Sequence, residues 1–222
     1  MQEIIEPKIL KGFRDSLPGP EIKRKKMFAD LEKAFSSFGF VPIDTPVLEY
    51  TEVLLGKGGG ETDKQVYSFT DNGGRSVAMR YDLTVPFARF VAANKNSLYF
   101  PFKRYHISKV WRGENTQRGR YREFYQCDFD IVGSDSASAD LEILLLMKKS
   151  FETMGINNFK IHLSSRGIFN RFLEIHGMLD KSADILRTVD KLAKIGPDAV
   201  KAILTETAGS SGALILDFIK ME

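Results

Sequence analysis

Phe102-Lys103-Arg104-Tyr105-His106-Ile107-Ser108-Lys109-Val110-Trp111-Arg112 and Arg122-Glu123-Phe124-Tyr125-Gln126-Cys127-Asp128-Phe129-Asp130-Ile131-Val132 read as two long strands joined by a polar loop. From Lys103 to Arg122 there are seven lysines or arginines and one acid, Glu114; from Glu123 to Glu142 there are six acids and no lysine or arginine. The sign of the charge flips at the loop, so antiparallel pairing sets opposite charges side by side. Side chains two apart share a face of a strand. On the second strand Tyr125, Cys127, Phe129 and Ile131 form an apolar row, and Arg122, Phe124, Gln126, Asp128 and Asp130 face the other way. Ordinary antiparallel strands also alternate, with one face toward water. Alternation alone therefore does not mark a site. Here the first strand ends in Arg112 and Glu114, and the loop adds Arg118 and Arg120. Several arginines converging beside carboxylates fit a polyanion and a cation held together, such as ATP with Mg²⁺ and an amino group.

Working outward, Arg80-Tyr81-Asp82-Leu83-Thr84 lies where a shorter strand, Ser76 to Tyr81, gives way to a helix. A carboxylate and a hydroxyl at a strand's end are placed to grip an ammonium group; equally, Thr84 reads as a helix cap before Pro86. Val66 to Thr70 is the partner strand, and Asp71-Asn72-Gly73-Gly74 between them is a hairpin signal. Gly56 to Gly60 reads as a flexible Gly-rich loop. It has the wrong context for a dinucleotide fingerprint, and there is no G-x-x-x-x-G-K-[ST] loop. If ATP binds, arginine side chains on an antiparallel sheet must hold it.

Upstream, Met27, Phe28, Leu31, Ala34, Phe35 and Phe38 recur at helical spacing after Pro18-Gly19-Pro20, with Gly39 suited to the carboxyl cap. Lys23-Arg24-Lys25-Lys26 at its start reads as a solvated face. Phe40 to Val47 is extended, and Pro42 and Pro46 place it at a sheet edge or interface. Downstream, Ala137 to Met154 is an apolar helix ended by Gly155. From Arg166 onward short amphipathic helices are punctuated by Gly177, Gly196-Pro197 and Gly209 to Gly212, a separate helical annex.

The chain has 222 residues, 43% of them hydrophobic, enough for one large domain plus a small annex. A net charge of +3 permits nucleic-acid contact without arguing for it. One cysteine, Cys127, excludes an intrachain disulfide and fits a reducing, cytoplasmic setting. His106, His162 and His176 show no metal-ligand spacing. Met1 to Leu10 resembles neither a secretory signal nor a transit peptide. No apolar run reads as long enough to cross a bilayer, and no membrane partner is expected.

Trp111-Arg112-Gly113-Glu114, followed by Arg118-Gly119-Arg120-Tyr121-Arg122-Glu123-Phe124-Tyr125-Gln126-Cys127-Asp128-Phe129-Asp130, resembles motif 2 of the class II aminoacyl-tRNA synthetases in its histidyl form. Gly39-Phe40 through Pro46-Val47-Leu48 resembles motif 1, the dimer-forming helix and strand. Lys11-Gly12-Phe13-Arg14-Asp15 and Glu61-Thr62-Asp63-Lys64 resemble further family segments. Arg80-Tyr81-Asp82-Leu83-Thr84-Val85-Pro86 resembles the eukaryote-like branch, as does Val189-Asp190-Lys191-Leu192 in that branch's helical insertion. The resemblance covers essentially the whole chain.

It implies an α+β fold, an antiparallel six-stranded sheet flanked by helices, with residues 1–164 as the catalytic core and 165–222 as part of a helical insertion. It implies a homodimer that activates L-histidine with ATP and Mg²⁺ and transfers it to tRNA(His). Carried onto this sequence, Arg112 holds the α-phosphate, Glu114 contacts adenine, Phe124 stacks on it, and Arg120 reaches the outer phosphates. Asp82, Thr84 and Gln126 grip the amino group of histidine, Arg112 also lies at the histidine, and Asp130 addresses its imidazole side. No residue is assigned to a metal beyond the Mg²⁺ that accompanies ATP. The family's second histidine-specific arginine segment, motif 3 and the anticodon domain are not among these residues. The resemblance thus implies a truncated catalytic domain, either a fragment or a truncated paralogue. The competing reading is a non-catalytic regulatory or dimerisation module, like the synthetase-like subunit that controls ATP phosphoribosyltransferase in histidine biosynthesis. Retention of Arg112, Glu114, Arg120, Gln126 and Asp130 favours descent from a working synthetase.

Overall fold

The computed structural model describes residues 5–56 and 64–220. Most of the Gly-rich loop, and Glu61-Thr62-Asp63, lie outside the described residues. The chain divides into two compact units, Met1–Phe159 and Lys160–Glu222.

In the first unit, α1 (Pro18–Ser37) starts with proline in its first turn, where a missing N–H costs nothing. It stops at Phe38-Gly39. Gly39 has φ 78°, a left-handed conformation that a side chain would strain. The reversal folds Phe40 back so that its N–H donates to the Phe35 carbonyl at 3.1 Å. β1 (Val41–Pro42) then runs parallel to β5 (Phe102–Trp111). β5 pairs antiparallel with β6 (Glu123–Val132), from Phe102 opposite Val132 to Trp111 opposite Glu123. A second sheet holds β2 (Leu48–Tyr50), β4 (Ser76–Met79) and β3 (Ser68–Thr70), in the order β2-β4-β3.

Among the described residues the strands divide between two three-stranded sheets, both with antiparallel pairing and one with a parallel pair besides. The cause is local. Pro42 and Pro46 each lack a ladder donor, so the Phe40 to Val47 segment cannot stay in one sheet. It leaves the first sheet at Pro42 and enters the second at Leu48. Between β3 and β4, Asp71 makes the turn: its Oδ1 accepts from the N–H groups of Gly73 and Arg75, both at 2.9 Å.

Helices α2 (Thr51–Leu55) and α3 (Thr84–Asn94) follow β2 and β4, and α4 (Ala137–Thr153) follows β6. Ser136 caps α4. The core lies between the β5–β6 hairpin and helices α1 and α4, built from Leu31, Phe35, Phe40, Tyr105 and Leu146 with Ile107, Phe129 and Ile131 against them.

The second unit is all-helical: α5 (Arg166–Ile175), α6 (Ser182–Val189), α7 (Leu192–Ala208) and α8 (Gly212–Lys220). Its core contains Leu173, Ile185, Val200, Leu204 and Ile215, all fully buried. One sequence expectation is corrected here. An 18-residue window within Lys194–Ile219 has a mean hydropathy of 1.2, and by length and composition the segment could cross a membrane. It is not one straight rod, because Gly196 (φ 81°, with Pro197 next) and Gly209 (φ 62°) break it. Its apolar residues Val200, Leu204, Ile215 and Leu216 fill this unit's core.

Candidate active site

The β5–β6 register decides which side chains meet. Arg104 faces Asp130, His106 faces Asp128, Ser108 faces Gln126 and Val110 faces Phe124. Directly paired residues share a face, so these eight form the polar face. Tyr105, Ile107, Phe129 and Ile131 point the other way, into the core under α1 and α4. The two faces predicted from alternation are therefore the two faces observed.

Arg112 continues the ladder, its N–H donating to the Arg122 carbonyl at 2.9 Å. Its Nε donates to the Tyr81 carbonyl at 3.1 Å. Its guanidinium carbon lies 4.4 Å from the centre of the Tyr81 ring and 5.0 Å from that of Phe124. The cation is thus held between two aromatic faces, an attraction that also fixes its plane. Glu114 Oε1 is 4.0 Å away, and the other carboxylate oxygen lies 3.4 Å from Arg120 Nη1. Arg112, Glu114, Arg120 and Phe124 accordingly come together in one patch.

The amino-terminal segment shapes this loop, a role invisible in the sequence. Arg122 donates from its backbone to the Gly12 carbonyl at 2.8 Å and from Nε to the Glu114 carbonyl at 3.1 Å. Arg14 stacks on Tyr121 at 4.0 Å. Gly12 has φ 87°, and a Cβ there would lie 2.7 Å from Arg122 Cγ and 2.8 Å from Thr116 Cγ2. Gly12→Ala is expected to cost about 1–3 kcal/mol from backbone strain and crowding together. It should lower the melting temperature and speed proteolysis within 113–121; an unchanged cleavage pattern would contradict the clamp.

Asp82 lies three residues beyond the end of β4. Its Oδ1 accepts the Val85 N–H at 3.0 Å, so Asp82 caps α3, and Thr84 is the helix's exposed first residue. The expected Thr84 cap is thereby corrected: the aspartate two residues earlier reaches the free N–H first. Asp130 meets Arg104, whose Nη2 lies 2.5 Å from its Oδ2. Arg104 is fully buried, with its guanidinium 4.2 Å from the Phe87 ring centre. Burial pulls its pKa down, opposed by Asp130 and Asp128.

Three buried polar atoms on this face find no partner among the described residues: Arg104 Nε, His106 Nδ1 and Gln126 Oε1. Native folds rarely leave such atoms unmatched, and a bound polar ligand is one way to satisfy them. Asp128 stands among them. Burial raises its carboxyl pKa, Arg104 works against that, and Asp130 and Asp82 add to it. The folded chain therefore holds this proton to higher pH than the unfolded chain. The penalty on folding is absent below the ordinary carboxylate range, grows as pH rises from there, and is complete above the folded value. Asp128→Asn should raise the melting temperature near pH 7, and the gain should vanish on acidification below about pH 4. A lower melting temperature at neutral pH would contradict this placement.

A cavity of about 1000 Å³ straddles the outer edge of β6 and reaches Phe124, Asp128 and Asp130 of the polar face. Its walls include Phe28, Leu31 and Phe35 of α1 and Met147 and Phe151 of α4. Charged groups, among them Arg14, Arg24, Lys109 and Glu123, line it together with these apolar residues. The polar face carries the candidate chemistry.

Residues 12–214 match the model of the family described as histidyl-tRNA synthetase. The chain belongs to the histidyl-tRNA synthetase family. A histidine–tRNA ligase of Treponema denticola is 61% identical over 213 residues, 96% of this chain and 48% of that protein. One from Rhodopirellula baltica is 51% identical over 206 residues, 93% of this chain and 47% of that protein. The chain thus spans about half the length of the curated relatives it matches. The crystal structure of histidyl-tRNA synthetase from Nostoc superposes with a TM-score of 0.86 at 29% identity, covering 99% of this chain and 50% of that one. A structure titled ATP phosphoribosyltransferase regulatory subunit/histidyl-tRNA synthetase, from Bacillus halodurans, superposes with a TM-score of 0.80 over 98% of this chain. At 23% identity it shows the fold alone.

These likenesses establish the class II α+β fold of the histidyl-tRNA synthetases. They lend no support to the expected eukaryote-like branch from Asp82 or Val189 to Leu192, since the curated relatives from Treponema denticola and Treponema pallidum are bacterial. Arg104, Asp128, Tyr81 and Arg122 are the residues that sequence reasoning left without a role. Asp128 shares a face with Gln126 and Asp130, a signal present in the alternation. Tyr81 and Arg122 act partly through main-chain groups, the Tyr81 carbonyl toward Arg112 and the Arg122 N–H toward Gly12, which no spacing reveals.

Proposed function

We propose that this chain is catalytic-core machinery for ATP-dependent activation of L-histidine and its transfer to tRNA(His). The observation that carries the reading is Arg112 held between Tyr81 and Phe124, with Glu114 and Arg120 at its side and Asp82 next in sequence to Tyr81, whose carbonyl accepts from Arg112 Nε. Arg112 is the group to bear on an α-phosphate, where negative charge grows during attack by a carboxylate. Phe124 offers a ring face to adenine beside it, Glu114 an acceptor for the adenine amino group, and Arg120 a mobile-length cation for the outer phosphates. Asp82, Thr84 and Gln126 are the acceptors for the ammonium group of histidine, and Asp130, oriented by Arg104, addresses its imidazole. Among the described residues no group of three or more His, Cys, Asp or Glu forms a metal site. Magnesium would arrive on the phosphates of ATP and there neutralise charge. The protein's own part is orientation: the sandwiching rings and the Tyr81 carbonyl fix Arg112 before any ligand arrives.

In this reading residues 1–164 serve as the catalytic core and 165–222 as part of a helical insertion, in a cytoplasmic homodimer. The dimer proposal has support in exposed apolar side chains: Val41, Val47, Leu48, Tyr50 and Phe69 are each at least 40% accessible. Sedimentation at micromolar concentration should give a dimer, with amides of Val41 to Leu48 protected from exchange. A monomer with free exchange there would overturn it.

The second reading, a non-catalytic regulatory module, has the fold likeness to the Bacillus halodurans structure in its favour. Histidine-dependent ATP–pyrophosphate exchange separates the two. The chain alone is expected to bind histidine weakly and to exchange little. Adding the carboxyl-terminal half of the Treponema denticola ligase should raise the exchange. Histidine binding with no exchange under either condition would favour the regulatory reading.

A further inference from the structure

We propose that Arg80 is a positioning residue, whose buried guanidinium fixes the Tyr81–Thr84 segment against Arg112 and so sets where the Asp82 carboxylate stands. The inference rests on the histidine-activation reading for its purpose, and on hydrogen bonds for its content. Arg80 is only 2% exposed. Its Nε donates to the Lys109 carbonyl at 2.9 Å, its Nη1 to the Thr45 carbonyl at 2.7 Å, and its Nη2 to Ser108 Oγ. Its backbone N–H donates to the Val47 carbonyl at 2.9 Å, and its carbonyl accepts the Trp111 N–H at 3.1 Å. One residue thereby joins the end of β4 to the Thr45–Val47 turn and to β5, bridging elements of both sheets.

The next residues are held from the opposite side. The Tyr81 carbonyl accepts from Arg112 Nε, and the Tyr81 hydroxyl donates to Gln65 Oε1 at 3.0 Å. Asp82 is left with one oxygen committed to the Val85 N–H. The segment bearing the candidate ammonium-binding groups is thus pinned between two arginines, one buried beneath it and one facing the site.

Stability does not explain a charge at this depth. The nearest carboxylate oxygen, Asp44 Oδ1, is 3.9 Å away on a side chain that is 85% exposed. A buried cation with so distant a counter-ion weakens a fold relative to a well-packed apolar residue. What the guanidinium adds is direction: a rigid planar fork serves three acceptors at once, which a lysine ammonium on a flexible stem cannot reproduce.

The test uses Arg80→Lys and Arg80→Met in the 222-residue chain, read by amide hydrogen exchange and by the emission of Trp111, the single tryptophan. In both variants the Trp111 and Val85 amides should exchange about tenfold faster or more, as expected for loss of charge-assisted hydrogen bonds. The amides of the Tyr105–Phe129 pair should stay within about twofold of wild type, because local opening differs across a fold. Trp111 emission should shift. Unchanged protection at Trp111 and Val85 in a folded Arg80→Met would overturn the proposal. So would uniform acceleration along the whole hairpin, which marks a merely structural residue. If Arg80→Met does not fold, Ser108→Ala decides: it removes one acceptor, and the same two amides should loosen while the hairpin holds. A wild-type chain whose Trp111 emission ignores histidine counts against the histidine reading, and the exchange data still decide whether Arg80 positions the segment.

Discussion

Arg112→Ala will lower histidine-dependent ATP–pyrophosphate exchange by at least about a hundredfold in the chain supplemented with the carboxyl-terminal half of the Treponema denticola ligase. The supplement is needed because adenylate formation requires charge neutralised from more than one side, and the relatives are about twice as long as this chain. Arg112 is preorganised without ligand: its Nε is committed to the Tyr81 carbonyl, and two rings flank its plane. Removing it deletes a fixed cation at the position where negative charge develops, and water that replaces it must reorient as the charge grows. Arg112→Lys should recover only a small part of the loss, since an ammonium lacks the flat fork that fits between Tyr81 and Phe124. Exchange at an unchanged rate in Arg112→Ala would remove Arg112 from the chemistry and the proposed reaction with it.

The hairpin is legible because its period is unambiguous. Tyr125, Phe129 and Ile131 alternate with Phe124, Gln126, Asp128 and Asp130, and a period of two can only be a strand with two different faces. Helix α1 is legible for the same kind of reason, from its apolar spacing, its prolines and Gly39. The division of the strands between two sheets is not, because Pro42 and Pro46 announce an edge without saying which sheet lies on either side. The caps show the same limit. Thr84 reads as the cap in sequence, and only the backbone path of residues 82–85 shows that Asp82 takes that role.

The site divides along similar lines. Arg112, Glu114, Arg120 and Phe124 lie within a short span, so one loop gathers them, and the charge reversal on either side of it flags the place. Arg104 is different. Its partnership with Asp130 depends on register, which the loop's length and the pairing from Phe102 to Trp111 fix only in three dimensions. Arg80 and Gly12 are more remote still. They act on the loop and on the Tyr81–Thr84 segment through carbonyls and N–H groups, which every residue type carries. A pattern of side chains holds no trace of such contacts.

Phe35→Ala will destabilise the first unit by about 3–5 kcal/mol, the cost of a large cavity at a fully buried aromatic. Phe35 lies 5.2 Å from the Tyr105 ring centre and 5.3 Å from that of Phe129, so it touches both strands of the hairpin at once. Its backbone carbonyl also accepts the Phe40 N–H that begins the return into β1. The ring is therefore the point where α1, β5 and β6 are registered against one another. Tyr105 and Phe129 each lie next in sequence to polar-face residues: Arg104 and His106 flank the first, Asp128 and Asp130 the second. A hairpin that tilts into the cavity moves those four groups together. Phe35→Ala should consequently weaken histidine binding by more than Phe169→Ala, which opens a comparable void in the other unit's core. Chemical denaturation of both variants, followed by titration of each with histidine under conditions where it stays folded, separates the two effects. Equal binding by the two variants would show that packing beneath the hairpin does not set the geometry of its polar face.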